Sequence, residues 1–283
     1  MKANFHLVLF SLLLFSQNLP AKTLDLADAI KKGYLSLTTT GTDWLEGKSL
    51  RLRLENKSKQ RLEIRIPAGQ IFEAADTALQ NLMVGKEELL TLESGKVRLA
   101  KLFGFCIEAG DGSPGESTKF NLGKMAVGNL LKLAQHISDQ NLHTNYAAQC
   151  AVWAVANDRP LESIGDPALA KFTAELLGKP VPTYNFDYLP QESRLLPGEP
   201  ADLPEAVSLN GLFYYDLSKD QKVDFGLYDS EGKLIHALFN NQLQKRGAHK
   251  FKFTFKIKGL PKGKYAARLM SEGKVLEELA VEL

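Results

Sequence analysis

Apolar residues fall on every second position in stretches at both ends of this chain. Leu50, Leu52 and Leu54 alternate with Ser49, Arg51 and Arg53, and Leu62, Ile64 and Ile66 alternate with Arg61, Glu63 and Arg65. Val223, Phe225 and Leu227 do the same, and Phe251, Phe253, Phe255 and Ile257 alternate with lysines and a threonine. Successive side chains of an extended strand point to opposite faces, so this period buries one sheet face and wets the other. A helix cannot use it, because a helix needs a period of 3.6. The constraint is therefore a mainly β chain with half-buried antiparallel sheets.

The charges fit that reading. Lysine, arginine and acids share the polar positions, as in Arg51-Leu52-Arg53-Leu54-Glu55, and the formal net charge is only +2. That is a solvated sheet face and not a phosphate-binding stripe, so no nucleic-acid partner is expected. The 283 residues suit about two domains once an export signal is removed.

Residues 22–110 are expected to form a small β-sandwich. Glu55-Asn56-Lys57-Ser58-Lys59-Gln60 reads as the turn of a hairpin joining the two leucine-rich strands, ended by Pro67-Ala68-Gly69. Leu89-Leu90-Thr91-Leu92 and residues 97–105, split by Glu93-Ser94-Gly95-Lys96, read as a second strand pair. Residues 71–84 read as an irregular connection, and Trp44 as a packing anchor in a turn.

Asp111-Gly112-Ser113-Pro114-Gly115 breaks the pattern, and residues 111–178 are expected to be a helical subdomain packed on the sandwich. Val127, Leu130, Leu131, Ala134 and Ile137 recur at helical spacing and predict an amphipathic helix over 124–140. A second helix, 146–156, is apolar almost all round and so must be buried on most sides, with Asn145 as its cap. A third opens at Asp166-Pro167 and stops at Gly178. Trp153 is the large packing anchor of the second helix, and Gln149 is its one polar amide. A buried amide must find partners or be chemically altered, since an orphaned one costs about 1–3 kcal/mol.

The N-terminus has the form of an export signal. Lys2 precedes an apolar run over 5–15, and Leu19-Pro20-Ala21 ends in a small residue before Lys22. A membrane anchor is the alternative. With residues 1–21 removed, no later run is apolar enough to span a bilayer. The expected location is secreted, periplasmic or cell surface, where disulfides are permitted.

The chain has two cysteines, Cys106 in Phe105-Cys106-Ile107-Glu108 and Cys150 in Gln149-Cys150-Ala151-Val152-Trp153. Those two stretches, in that order, resemble the cysteine and glutamine motifs of bacterial Cys–Gln thioester domains. The resemblance implies that the Cys106 thiol condenses with the Gln149 carboxamide, expels ammonia and leaves a buried thioester that captures surface amines. His136 and His143 are the histidines that could assist proton transfer. Two alternatives stand beside it. A Cys106–Cys150 disulfide would close a long loop and contribute about 4 kcal/mol in the chain-entropy model. Two unpaired thiols would act as small buried hydrophobes. Positions 149 and 150 point about 100° apart on a helix, so Cys106 faces one of them and not both.

Residues 179–205 hold six of the chain's 12 prolines and read as a semi-rigid linker. Residues 206–283 return to strands, with turns at Asp229-Ser230-Glu231-Gly232-Lys233 and Ser271-Glu272-Gly273-Lys274. With Gly259-Leu260-Pro261-Lys262-Gly263-Lys264-Tyr265, this segment resembles the immunoglobulin-like domain of flagellar-hook-capping type and the C-terminal sorting module of Bacteroidetes-type secreted proteins. The resemblance implies an Ig-like β-sandwich serving as spacer, sorting signal or binding module.

The fold class read from the sequence is thus mainly β with a helical subdomain, α+β. No phosphate loop, HExxH, paired-cysteine zinc spacing or Gly-x-Ser-x-Gly elbow is present, and no cofactor, metal or turnover catalysis is expected. The functional expectation is an exported binding or structural protein whose partner is a host, cell-surface or matrix protein. The alternative is a single-turnover covalent adhesin using Cys106 and Gln149.

Overall fold

A computed structural model describes residues 22–42, 48–189, 198 and 205–283. The expected signal peptide, Trp44, Pro190, Pro197, Pro200 and Pro204 lie outside the described residues. The chain is mainly β with a helical subdomain. Its strands are arranged as two sandwich-like pairs of sheets.

The first pair is built from β1 (Lys22–Asp25), β2 (Leu35–Gly41), β3 (Leu50–Asn56), β4 (Leu62–Ile66), β5 (Gln70–Ala74), β6 (Leu82–Val84), β7 (Glu88–Leu92), β8 (Val97–Leu102), β9 (Gly104–Cys106) and β10 (Lys119–Met125). A short helix, α1 (Leu26–Lys31), follows β1. The order β1-β4-β7 makes a small sheet, and β8-β3-β2-β10-β5-β6-β9 a seven-stranded one. Leu24, Leu62, Ile64, Ile66 and Leu92 of the first share a core with Leu50, Leu52, Leu54, Phe72 and Leu102 of the second. The alternating leucines are therefore the inward faces, and the arginines between them are wet, as the period requires.

Pairing differs from expectation. The two leucine-rich strands are not a hairpin: β3 pairs with β2 and β8, and β4 with β1 and β7. The polar stretch after Glu55 instead carries the chain from one sheet to the other. Asn56 makes that crossover possible. It is fully buried. Its Nδ2 donates to the carbonyls of Gln60 (2.8 Å) and Leu92 (3.1 Å), and its Oδ1 accepts from the Ser58 N–H (2.9 Å). The expected pair over 89–92 and 97–105 is likewise split, with β7 in the small sheet and β8 and β9 at opposite edges of the large one. Residues 71–84, read as a connection, contain most of β5 and all of β6. A period of two is visible inside one strand but says nothing about its neighbour, and a three-residue strand is too short to show a period at all.

The helices α2 (Gly128–Asp139), α3 (Tyr146–Asn157) and α4 (Pro167–Leu177) cover the β5-β6-β9 end of the large sheet. Their shared core takes Met83, Phe105 and Ile107 from the sheet and Leu133, Ile137, Ala148, Cys150, Val152 and Leu169 from the helices. α2 begins later than expected, because β10 occupies residues 119–125 as a central strand of the large sheet. α4 starts and stops as read: Asp166 Oδ1 accepts from the N–H groups of Ala168 and Leu169, and Gly178 closes the helix at φ 67°. Among the described residues, no helix is long and apolar enough to cross a membrane.

The second pair consists of β11 (Tyr184–Tyr188), β12 (Ala206–Leu217), β13 (Gln221–Asp229), β14 (Leu234–Gln244), β15 (Gly247–Lys256), β16 (Lys264–Ser271) and β17 (Lys274–Glu282). Its sheets are β11-β12-β15 and β14-β13-β16-β17. β11 falls inside the stretch read as a linker. Proline cannot sit in a paired strand, but Pro180 and Pro182 precede this one, and Phe186 enters the second core. A 3₁₀ turn, Leu161–Ile164, lies against β11, and Asn185 Nδ2 donates to the Gly165 carbonyl at 3.3 Å, so the strand joins the helical layer to the second sandwich.

Candidate functional site

β9 ends the seven-stranded sheet. It pairs on one side with β6, in the register Leu82↔Cys106, Met83↔Phe105 and Val84↔Gly104. The flanking ladder bonds run from the Ile107 N–H to the Asn81 carbonyl and from the Gly85 N–H to the Phe103 carbonyl. Alternation of bonded and non-bonded residues in an antiparallel ladder then turns the Cys106 N–H and C=O away from β6. An edge like this, buried under a helix, needs a partner for both groups.

Gln149 supplies it. The Cys106 N–H donates to Gln149 Oε1 at 3.0 Å, and Gln149 Nε2 donates to the Cys106 carbonyl at 2.8 Å. One side-chain amide thus stands in for the residue of a missing strand. Gln149 is only 6% exposed, and it is placed because Asn145 Oδ1 caps the start of α3 by accepting from the Ala147 N–H. Farther along α3, Asn157 Oδ1 accepts from the Ala109 N–H at 2.9 Å, so the helix is tied once to β9 and once to the chain just after it. Close approach on the other side depends on Gly85, where a Cβ would lie 2.2 Å from the Phe105 ring.

The expected reactive residues separate along this helix. Gln149 and Trp153, one turn apart, turn toward β9, and Trp153 shares a core with Cys106. Cys150 turns into the core between the helices. Both cysteines are free and buried. The Cys106–Cys150 disulfide is therefore overturned, and the reason is the helical geometry that gave the alternatives: Cys106 faces position 149. The Trp153 Nε1–H is buried without a hydrogen-bond partner.

Burial, and secondarily the charge of Glu108, holds the Cys106 thiol far above its ordinary range. Glu108 itself accepts from the Asn81 N–H and Nδ2, both at 2.7 Å. Burial pushes the Cys150 thiol up to about 12. Neither sulfur is a thiolate at neutral pH, and the thiolate is the nucleophile. Both thiols should accordingly resist a disulfide reagent in the native protein, even at pH 9, and react at once in denaturant. Raised folded values also mean that the unfolded chain loses thiol protons first. Stability is full below the unfolded value of about 8.5 and falls as pH rises through it.

The histidines stand apart from this contact. His136 stacks on Phe172 with centroids 3.7 Å apart, joining α2 to α4. His143 meets Phe103 edge-on at 4.5 Å, and burial with the nearby Lys86 charge lowers its pKa and keeps it neutral. Among the described residues, neither is hydrogen-bonded to Cys106 or Gln149. The sequence reads Tyr184, Phe186 and Tyr188 of the proline-rich stretch as docking on a domain surface. Burial, and then the nearby Cys150 and Glu162, raises the pKa of the Tyr188 phenol. Among the described residues, no group of three or more His, Cys, Asp and Glu side chains could hold a metal ion.

Comparison of the sequence with protein-family models and with curated proteins gives no match in either case.

Proposed function

We propose that this chain is an exported, non-catalytic binding or structural protein of the secreted, periplasmic or cell-surface space, whose partner is a host, cell-surface or matrix protein. One observation carries the non-catalytic part. Both halves of the Gln149 carboxamide are engaged by the Cys106 backbone, and the adjacent sulfur is held as a protonated thiol. In that state the pair is a structural tie that fixes the helical layer to the edge of the first sandwich, leaving the outer sheet faces for recognition.

The same contact favours a second reading, the covalent adhesin. The carboxamide oxygen already accepts the Cys106 N–H, a donor of the kind that stabilises a tetrahedral oxyanion. The thiol belongs to the residue that holds the amide. Formation of the S–C bond would break the C–N bond of Gln149, the thiol proton leaving with the nitrogen as ammonia. A surface amine would then form a new amide and return a proton to sulfur.

Intact mass of the purified full chain separates the readings. The structural tie predicts the unmodified mass, two thiols titratable in denaturant and no uptake of methylamine. A mass lower by one ammonia, one titratable thiol and methylamine at Gln149 would replace it with the thioester.

A further inference from the structure

His143 is held by packing and not by hydrogen bonds. It lies in the turn joining α2 to α3, where the Asn145 N–H donates to the Leu142 carbonyl at 2.9 Å. Its ring meets the Phe103 ring edge-on at 4.5 Å, and its Nδ1 is buried without a hydrogen-bond partner. Phe103 is the bend between β8 and β9, and its carbonyl accepts the Gly85 N–H at 2.9 Å. His143 therefore presses on the start of β9, while Gln149 grips its end at Cys106. The two holds are coupled through the chain, because Asn145, two residues after His143, caps the helix that carries Gln149.

The charges around this ring are cations. Lys86, next to Gly85 in the connection from β6 to β7, acts on the His143 ring directly. Lys48, just before β3, places Nζ 5.4 Å from the centroid of Phe103. Both lysines are half-buried. The acids nearest in sequence on the packed elements, Glu87 and Asp139, are exposed, and among the described residues His143 is in no ion pair. A neutral imidazole keeps a lone pair on one nitrogen, whereas an imidazolium carries N–H on both. Whichever tautomer is present, a second proton leaves an N–H at Nδ1, buried, with no acceptor and with Lys86 nearby. A buried donor without an acceptor is costly, and the cost is relieved once the ring leaves Phe103 for water.

We infer that the turn between α2 and α3 is an acid-released latch: protonation of His143 lifts its ring from Phe103, loosens the start of α3 and uncovers the Cys106–Gln149 contact. Burial, then Lys86, holds the pKa of the closed ring below its ordinary value. The closed turn thus binds fewer protons than the open one. Its stability is full above the open ring's value of about 6.5 and is lost as pH falls through that value toward the closed one. The latch rests on the reading of the Gln149 contact as a non-covalent tie and adds its regulation.

Thiol labelling of the full chain with a dipyridyl disulfide, at about pH 7.5 and about pH 5.5, tests it. Each native rate is divided by the rate of the urea-unfolded chain at the same pH, which removes the pH dependence of the thiol itself. Relative labelling of the buried cysteines should rise at least about fivefold at the lower pH, the low end of the effect of one orphaned buried donor. His143→Phe keeps a ring on Phe103 that cannot protonate and should abolish the rise. Lys86→Gln removes the neighbouring charge at a half-buried site and should shrink it. Equal relative rates at the two pH values overturn the latch, as does a rise in His143→Phe equal to that of the parent, or a rise undiminished in Lys86→Gln. The unfolded control keeps the two readings apart. Two titratable thiols there leave the non-covalent tie standing even if the latch fails, whereas a single one removes the tie and the latch with it.

Discussion

Replacing Gln149 by alanine should destabilise the protein by about 2–6 kcal/mol, the sum for two buried backbone groups orphaned at about 1–3 kcal/mol each. The groups are the N–H and C=O of Cys106, which face away from β6 and have no other partner in the sheet. The midpoint of denaturant unfolding should fall with little change in slope. Gln149→Glu separates hydrogen bonding from size. A carboxylate can accept from the Cys106 N–H but repels its carbonyl, whereas the protonated acid satisfies both. Folding therefore raises the pKa of that acid. The variant should be most stable below the unfolded carboxyl value of about 4.3 and lose stability as pH rises through it. A Gln149→Ala protein as stable as the parent would mean that the amide is incidental.

Phe225→Ala should cost about 3–5 kcal/mol, the range for deleting a buried aromatic. Phe225 sits at the centre of the second core, with ring centroids 4.6 Å from Phe213, 4.8 Å from Phe251 and 5.7 Å from Phe255. The loss should be confined to the second sandwich, because its core shares no buried residue with the other two. Both tryptophans, Trp44 and Trp153, precede the second sandwich in the sequence. Far-ultraviolet circular dichroism of the variant should thus change at lower denaturant than tryptophan fluorescence. Coincident transitions would show that β11 couples the halves into one cooperative unit.

Inward and outward faces were legible residue by residue. The leucines of β3 and β4, the phenylalanines of β15 and the caps of α3 and α4 all lie where their periods and side-chain chemistry put them. Partnership was not legible. Nothing local in Glu55 to Gln60 distinguishes a hairpin turn from a crossover between sheets, and the difference lies in Asn56 reaching the Leu92 carbonyl thirty-six residues away. β10 was hidden because Lys119, Asn121, Gly123 and Lys124 leave it only two apolar side chains before Met125. At the site, the sequence showed that a polar amide in an apolar helix must be used and that Cys106 must choose between neighbours. That the amide grips the backbone of Cys106 follows from the edge position of β9, which is a property of the assembled sheet.

Hydrogen exchange at the Cys106 amide tests the tie between α3 and β9 most directly. In the intact chain this N–H should exchange as slowly as the amides in the middle of β3. In Gln149→Leu, which keeps an apolar side chain of similar length, it should exchange at least about a hundredfold faster, as an edge amide freed by local opening. Equal protection in the two proteins, or rapid exchange at Cys106 in the parent, would contradict the account.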